Sequence, residues 1–120
     1  MRALTVWQPW ATLLAEGIKK NETRSWSTSI RGPVAIHAAR KPFKEIVKLI
    51  SLKALTLITG LVYPHPPGRL PTGCVLAIGN LVDCKLIDEA FIETLSEEEL
   101  LIGDYTIGRY AWVFEDMKHF

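Results

Sequence analysis

The segment Gly17-Ile18-Lys19-Lys20-Asn21-Glu22-Thr23-Arg24 stands between the predicted end of a helix and the predicted start of a strand. Its spacing is G-x-K-x-x-E-x-R. Gly17 is expected to stop the helix, because glycine readily adopts the left-handed backbone of a helix end. Side chains alternate along a strand, so Glu22, Arg24 and Trp26 are expected to share one face. A guanidinium held by a carboxylate beside an aromatic ring suits a phosphate or a nucleobase.

Lys19 lies in the predicted turn between these two elements. A mobile ammonium there can reach a phosphate, or it can act as a base when it is removed from water. The spacing also fits a simpler interpretation, in which residues 20–26 form a surface strand with solvated charges. From the spacing alone, both interpretations stay open.

Length and composition predict a single domain over residues 1–120. The chain has 120 residues, of which 48% are hydrophobic and 22% are charged, and domains cluster near ~100–150 residues. This hydrophobic content excludes an intrinsically disordered chain. The longest uncharged stretch, residues 54–68, is shorter than the ~20 residues that a bilayer needs. We expect no membrane association, and the start of the chain has no signal-peptide pattern, which predicts a cytoplasmic protein.

Charge is distributed unevenly along the chain, although the formal net charge is only +1. Residues 1–60 hold ten basic and three acidic side chains, whereas residues 61–120 hold four basic and ten acidic ones. Such asymmetry predicts one positive surface that can bind phosphates. The alternative is a fold that interleaves the two halves, so that the charges neutralise each other locally.

The order of predicted elements is strand, helix, strand, strand, helix and then long strands. One long helix is expected from Pro42 to Gly60, and one long strand from Gly73 to Leu86 with Gly79 as a possible bulge. This order differs from the regular alternation of a doubly wound sheet. It predicts an α+β fold with a mixed sheet curled into a partial barrel and helices at its ends.

Metal-ligand spacing is missing from the sequence. The three histidines, His37, His65 and His119, are far from each other and from the two cysteines, Cys74 and Cys84. Zinc sites bring such residues together at short, regular spacings. We therefore expect no cofactor and no preformed metal site, and a divalent ion stays open for a nuclease only.

The sequence resembles the ASCH (activating signal cointegrator-1 homology) domain family, whose signature is G-x-K-x-x-E-x-R. Further blocks match the family in order, and a late run resembles small stand-alone bacterial and phage members, although isoleucine stands where proline is expected. These blocks are Gln8-Pro9-Trp10-Ala11, Arg24-Ser25-Trp26, Arg31-Gly32, Ile36-His37-Ala38-Ala39, residues 73–76, Asp83-Cys84 and residues 103–112. The resemblance spans nearly the whole chain.

The resemblance implies a PUA-like mixed pseudo-barrel with a cleft lined by Lys19, Glu22 and Arg24. The implied ligand is RNA or a nucleotide, in a role in RNA metabolism or regulation. In this interpretation Lys19 and Arg24 neutralise phosphate, while Glu22 positions Arg24 or accepts a hydrogen bond from a base edge. Protein partners are not predicted, although the acidic half leaves a protein-interaction module as a third, weaker possibility.

Activities differ among members of the family, so an RNA-directed hydrolase is the alternative, with Lys19 and Glu22 as its catalytic residues. One branch removes the acetyl group of N4-acetylcytidine with a threonine nucleophile three positions after the signature lysine. Glu22 occupies that place here, and Thr23 comes one residue late, on the opposite face of a strand. The amidohydrolase is therefore less favoured than a ribonuclease, for which His37 and Tyr110 supply further suitable residue types.

Flanking residues extend the predicted binding surface. Arg40 and Lys41 follow a buried strand, and Arg109 is a basic residue in the acidic half, so all three are candidate contacts to nucleic acid. Trp26 is expected to be partly exposed beside them. The other three tryptophans are expected in the core, because large rings dominate the burial of small domains; they are Trp7, Trp10 and Trp112.

Overall fold

Five strands form one mixed sheet in the computed structural model, which describes residues 1–120. The strands follow the spatial order β1-β3-β4-β5-β2, in which β1 and β3 run parallel and the other neighbours antiparallel. The sheet curves into a half-barrel, which confirms the predicted α+β, PUA-like pseudo-barrel. The strands are β1 (Arg2–Val6), β2 (Asn21–Arg24), β3 (Gly32–Ala38), β4 (Cys74–Leu86) and β5 (Tyr110–His119).

Five short helices surround the sheet, and two single turns of 3₁₀ helix, Val47–Leu49 and Pro67–Arg69, extend the connections between elements. No helix of this protein has the length and apolar character that crossing a bilayer requires. The helices are α1 (Trp10–Ala15), α2 (Phe43–Ile46), α3 (Leu52–Leu61), α4 (Glu89–Glu93) and α5 (Glu97–Ile102).

The end of α1 positions the start of β2. Gly17 has a φ of +74°, as predicted for a left-handed helix end, and its amide donates to the carbonyl of Leu14. The amides of Ile18 and Lys19 both donate to the carbonyl of Leu13. These bonds form the Schellman motif, which satisfies the last carbonyls of a helix. The chain therefore leaves α1 in one fixed direction, and Lys19 enters the interior.

The single long helix predicted from Pro42 to Gly60 is wrong, because the chain is broken at Ile50. Ile50 has extended backbone angles (φ −105°, ψ 127°), and the hydroxyl of Ser51 caps a new helix by accepting from the amide of Ala54. The helical spacing of apolar residues runs through the break, so it hides the interruption. As a result, α3 is a separate helix that begins after the extended segment at residues 50–51.

Two apolar clusters flank α1. The larger lies between α1 and the sheet and includes Leu14, Ile36 and Leu81, all nearly fully buried. The smaller joins Leu13 of α1 to Ile58 of α3. Leu13 and Leu14 thus face opposite clusters, so α1 serves as the wall between them and is held on both sides.

Both halves of the chain contribute strands to one sheet, so basic and acidic residues are interleaved. The charge asymmetry along the sequence therefore does not become two separate surfaces. Strand β2, from the basic half, pairs with β5 from the acidic half, and β3 pairs with β4. The register of β4 and β5 shifts between Ile78 and Asn80, but the extra residue there belongs to β5, so the bulge predicted at Gly79 of β4 is wrong. An extra residue of β4 lies instead between Leu81 and Asp83. The interleaving brings acidic residues of the second half close to the signature segment.

Candidate functional site

A cavity of about 620 Å³ opens between the sheet and the helices. Its walls come from the ends of β1 and β2, the segment before α3, α3 itself, and residues 101–104, which end α5 and follow it. Half of its 20 lining residues are hydrophobic. Small-molecule sites are concave, mostly apolar and ≈ 300–1,000 Å³ in volume, with a few convergent polar groups. The cavity has the size and character of such a site.

Lys19 lies at the floor of this cavity and is only 2% exposed. Its ammonium donates a hydrogen bond to the carbonyl oxygen of Asn21 and lies 3.7 Å from Oε1 of Glu22. Burial lowers the pKa of Lys19, while the carboxylates of Glu22 and Glu99 act in the opposite direction. The amine is therefore a desolvated group whose charge depends on these two acidic neighbours.

Glu22 and Arg24 form the predicted pair on one face of β2. A terminal nitrogen of Arg24 lies 2.9 Å from Oε2 of Glu22 and also donates to the carbonyl of Thr5 at 2.6 Å. The guanidinium carbon lies 5.6 Å from the ring centroid of Trp26. The buried Nε of Arg24 has no hydrogen-bond partner. The guanidinium is thus held in place through one terminal nitrogen, while the other, Nη1, makes no contact with a protein acceptor.

Arg109 brings a second guanidinium to the cavity from the start of β5. Its terminal nitrogen donates to the carbonyl of Thr23 at 3.3 Å, and its Nε lies 3.4 Å from a carboxylate oxygen of Asp104. That Nε is within ion-pair distance but makes no hydrogen bond. The pKa of Asp104 is lowered first by hydrogen bonding from Thr106 and also by the charge of Arg109.

A buried network beneath the cavity supports the signature segment. The carboxylate of Glu99 accepts hydrogen bonds from the amide of Lys20 at 3.2 Å and from the hydroxyl of Tyr105 at 2.7 Å. The side-chain amide of Asn21 donates to the same hydroxyl at 3.2 Å. Burial, followed by the bond to Glu99, raises the pKa of Tyr105 far above its ordinary value. Helix α5 is therefore tied to the backbone that follows Lys19.

The net charge of the residues that line the cavity is smaller than the net charge of a cleft lined by basic residues alone. Three basic and two acidic side chains line the cavity, a formal excess of one positive charge. This balance follows from the interleaving of the two halves of the chain. The lining charges are Lys19, Glu22, Arg24, Asp104 and Arg109.

Five of the predicted binding residues line the same cavity: Lys19, Glu22, Arg24, Trp26 and Arg109. The other two predicted contacts are outside the lining. The ammonium of Lys41 lies 4.6 Å from the ring centroid of Trp7, which does line the cavity. The guanidinium of Arg40 packs against Gly73, where an added Cβ would be only 2.4 Å from its Nε.

Two residues in and beneath the cavity differ in burial from what the sequence predicts. Trp7 was expected in the core, yet it is 40% exposed at the cavity. Trp7 lies between β1 and α1, two residues before Pro9. That proline is the sequence feature that indicates the bend by which the ring turns outward. Glu99 ends the acidic segment 88–99, which the sequence alone predicts to be a solvated helical face, but Glu99 is 8% exposed, because its partners Lys20 and Tyr105 lie elsewhere in the sequence.

The residues considered for a nuclease do not converge. His37 and Tyr110 are outside the lining of the cavity that contains Lys19. The ring of His37 instead lies near the hydroxyl of Thr5, with 3.4 Å between Nδ1 and the oxygen. No group of three or more histidine, cysteine, aspartate or glutamate side chains is arranged to hold a metal ion.

Comparison with known proteins agrees with the fold and the signature. Residues 4–120 match the ASCH domain family. The chain is similar to activating signal cointegrator 1 of Homo sapiens, with 38% identity over 101 residues, and to that of Mus musculus, with 35% identity. The match covers 80% of this chain and 17% of each relative's length. The chain belongs to the ASCH domain family, an RNA-binding-related family.

Proposed function

We propose that the cavity binds one nucleotide of an RNA ligand, in RNA metabolism or its regulation. The observation that supports this most strongly is the guanidinium of Arg24, held by Glu22 at 2.9 Å and lying 5.6 Å from Trp26. Charge-assisted bonds from arginine favour phosphate, and a ring beside the guanidinium offers a base a stacking surface. A cytoplasmic location stays a prediction from the sequence.

Phosphate contact in this proposal comes from Arg24 and Arg109. Both guanidinium groups line the cavity, and the second terminal nitrogen of each, Nη1, makes no hydrogen bond or ion pair within the protein. An anionic oxygen of a ligand can accept a charge-assisted hydrogen bond from such a nitrogen. The apolar wall formed by Ala54 and Ile58 faces the same cavity and suits the base.

Lys19 has a different role in this proposal from the phosphate contact expected from its sequence. Its ammonium is already bonded to Asn21 and lies beside Glu22, at the cavity floor. Because Lys19 is only 2% exposed, a ligand phosphate has little access to it. Lys19 instead balances the charge of Glu22, and the Glu22 carboxylate positions Arg24 or accepts a hydrogen bond from a base edge.

The salt dependence of RNA affinity tests the phosphate contacts. If Arg24 and Arg109 neutralise two phosphates, affinity for a single strand falls about sevenfold between ~50 and ~200 mM salt. Arg24→Ala removes one contact, so this ratio drops to about threefold and the affinity at ~50 mM falls. Fluorescence anisotropy with a labelled single-stranded RNA measures both quantities.

Lys118→Ala is the matched control, because it removes one positive charge from an exposed position on β5 outside the cavity. We expect its affinity and salt slope to equal those of the wild-type protein. An unchanged affinity and slope in Arg24→Ala would contradict the proposal. So would a loss in Lys118→Ala as large as that in Arg24→Ala, because binding would then follow total charge.

An RNA-directed hydrolase is the second candidate function. The observation that favours it is the burial of Lys19, which lowers the pKa of its amine beside the carboxylate of Glu22. Groups with shifted pKa values in a cavity are typical of general acid–base catalysis. Glu22 lines the cavity and could accept a proton from a water molecule that attacks the ligand.

Product formation decides between binding alone and hydrolysis. The purified protein is incubated with single-stranded RNA, structured RNA and N4-acetylcytidine, each with and without a divalent metal ion. The hydrolase predicts a cleaved phosphodiester or released acetate with the wild-type protein. It also predicts no product with Glu22→Gln, which keeps the shape of the side chain and removes the base. No product from any substrate would exclude this candidate and leave the binding function intact.

A further inference from the structure

Two exposed tryptophan rings lie at the cavity, each with a cation beside it. Trp7 is 40% exposed and Trp26 is 53% exposed, and both line the cavity. The ammonium of Lys41 lies 4.6 Å from the centroid of the Trp7 ring, and the guanidinium of Arg24 lies 5.6 Å from that of Trp26. Aromatic rings interleaved with positive charge are typical of surfaces that bind single-stranded nucleic acid.

Both rings are anchored in ways that leave them accessible. The backbone carbonyl of Trp26 accepts a hydrogen bond from the indole nitrogen of the buried Trp112 at 3.1 Å. The two indole rings meet edge to face, with their centroids 6.3 Å apart. The carbonyl of Trp7 accepts from the amide of Ala11 at 3.0 Å, which holds the Trp7 backbone just before α1, and the ring contacts the ammonium of Lys41. Ordered, exposed rings lose little entropy when a ligand stacks on them.

We infer that a single strand of nucleic acid crosses the cavity mouth and stacks its bases on Trp7 and Trp26. In this arrangement Lys41 and Arg24 contact the phosphates beside the two stacked bases, and the nucleotide between them enters the cavity. The inference rests on the proposed function, and it adds a second subsite, Trp7 with Lys41, outside the signature segment.

The chemistry of the two pairs favours a single strand over a duplex. Base faces are available for stacking on protein rings only when the bases are unpaired and separated. Lys41 has no carboxylate within ion-pair distance, so its charge is available to a phosphate. The cation that accompanies each ring can neutralise the phosphate next to the stacked base. Because every base has a flat face, such stacking is tolerant of sequence.

The test compares ligands that fill the cavity with ligands that also cross its mouth. Affinity is measured for the four nucleoside 5′-monophosphates by calorimetry. Anisotropy gives the affinity for labelled single-stranded RNA and DNA of about six nucleotides, a length within the range of known single-strand sites, and for duplex RNA. The variants are Trp7→Ala, Trp7→Phe and Lys41→Ala.

Two further variants serve as controls. Tyr63→Ala removes a ring that is 82% exposed and outside the cavity, and Lys118→Ala removes a charge outside it. Thermal unfolding of every variant identifies any that fails to fold. Trp7→Phe keeps a stacking ring, so it remains informative if Trp7→Ala unfolds.

We expect the single-stranded oligonucleotide to bind more tightly than any mononucleotide and more tightly than the duplex. Trp7→Ala should weaken oligonucleotide binding about tenfold, in line with the loss of one stacked base, and by more than it weakens mononucleotide binding. Trp7→Phe should retain most of the affinity, and Lys41→Ala should lose several-fold. Equal binding of RNA and DNA supports stacking without recognition of the sugar, whereas preference for RNA supports stacking with a contact to the 2′-hydroxyl.

The inference is overturned if oligonucleotides bind no tighter than mononucleotides, if the duplex binds as well as the single strand, or if Trp7→Ala and Trp7→Phe behave like Tyr63→Ala. In each of these cases mononucleotide binding still supports the proposed function. If neither mononucleotides nor oligonucleotides bind, the proposed function is wrong, and the inference that rests on it is wrong as well.

Discussion

The floor of the cavity consists of buried polar side chains with partners, whereas its rim consists of exposed tryptophan rings and the cations beside them. At the floor Lys19, Glu22, Glu99 and Tyr105 are buried, and each is held by a charged or hydrogen-bonded partner. At the rim Trp7 and Trp26 are exposed, and the cation beside Trp7 has no acidic partner. Buried charges need partners to be tolerated, whereas exposed rings and cations add little to stability.

This difference predicts that the stability of the protein depends on the floor, whereas its affinity for the ligand depends on the rim. Changes at the floor should alter the free energy of unfolding, because they leave a buried charge or donor without its partner. Changes at the rim should alter affinity and leave stability nearly unchanged. Four substitutions test this separation.

Glu22→Leu should have the largest effect on stability. It leaves the buried ammonium of Lys19 without its closest carboxylate, and breaking a buried ion pair in this way costs about 3–5 kcal/mol. Chemical denaturation measures the change in free energy of unfolding. The double variant with Lys19→Met should recover part of the loss, because it removes the unpaired charge. Lys19→Met alone completes the double-mutant cycle, and losses that add up in the double variant would show that the pair is not coupled.

Tyr105→Phe should cost about 1–3 kcal/mol, because Glu99 loses a buried hydrogen-bond donor. The substitution should also change the pH dependence of stability. The pKa of Tyr105 is raised in the folded protein, so only the unfolded chain releases this proton as pH rises just above 10.0. The contribution of Tyr105 is therefore complete below pH 10.0 and declines above it.

Unfolding at about pH 8 and about pH 11 checks this direction, with the wild-type protein and Tyr105→Phe measured side by side. The stability difference between the two proteins should shrink at the higher pH. An unchanged difference would mean that the phenol ionises equally readily in the folded protein and in the unfolded chain, and a difference that grows would mean that it ionises more readily in the folded protein.

Gly17→Ala should cost about 1 kcal/mol. The cause is backbone conformation alone, because φ is +74° and an added Cβ would meet no atom within 4 Å. Gly60→Ala is the matched comparison, since Gly60 lies in α3 with ordinary backbone angles and also has open space. We expect Gly60→Ala to be neutral or stabilising in thermal unfolding. Equal losses at both positions would contradict a conformational cause.

Lys41→Ala should have the smallest effect on stability, below about 0.5 kcal/mol, because an exposed cation–aromatic contact contributes little. Thermal unfolding beside Lys118→Ala measures the difference. A loss as large as that of Tyr105→Phe would mean that the rim is part of the stabilising structure and would remove the contrast with the floor.

The sequence predicts the local arrangement of the site better than its surroundings. Alternation along β2 correctly pairs Glu22 with Arg24, and the glycine at position 17 correctly marks the end of α1. These features depend on neighbours within a few residues. The break at Ile50 was missed, because apolar spacing continues through it and only the cap at Ser51 marks a new helix.

The remaining differences depend on contacts between distant parts of the chain. Glu99 is buried because α5 packs beside Lys20, and Trp7 is exposed because the chain bends between β1 and α1. Composition and periodicity describe one segment at a time, so they contain no information on which distant segment covers it. The small net charge of the cavity has the same origin, since Asp104 comes from the acidic half.

Mapping the bound ligand by nuclear magnetic resonance tests the central claim most directly. Backbone amide signals are followed while single-stranded RNA is added to the labelled protein. The account predicts that the largest shifts fall on residues that line the cavity, including Thr23, Ser25 and Gly103. Shifts confined to residues outside it, such as Lys85 on β4, would contradict the claim that this cavity is the binding site.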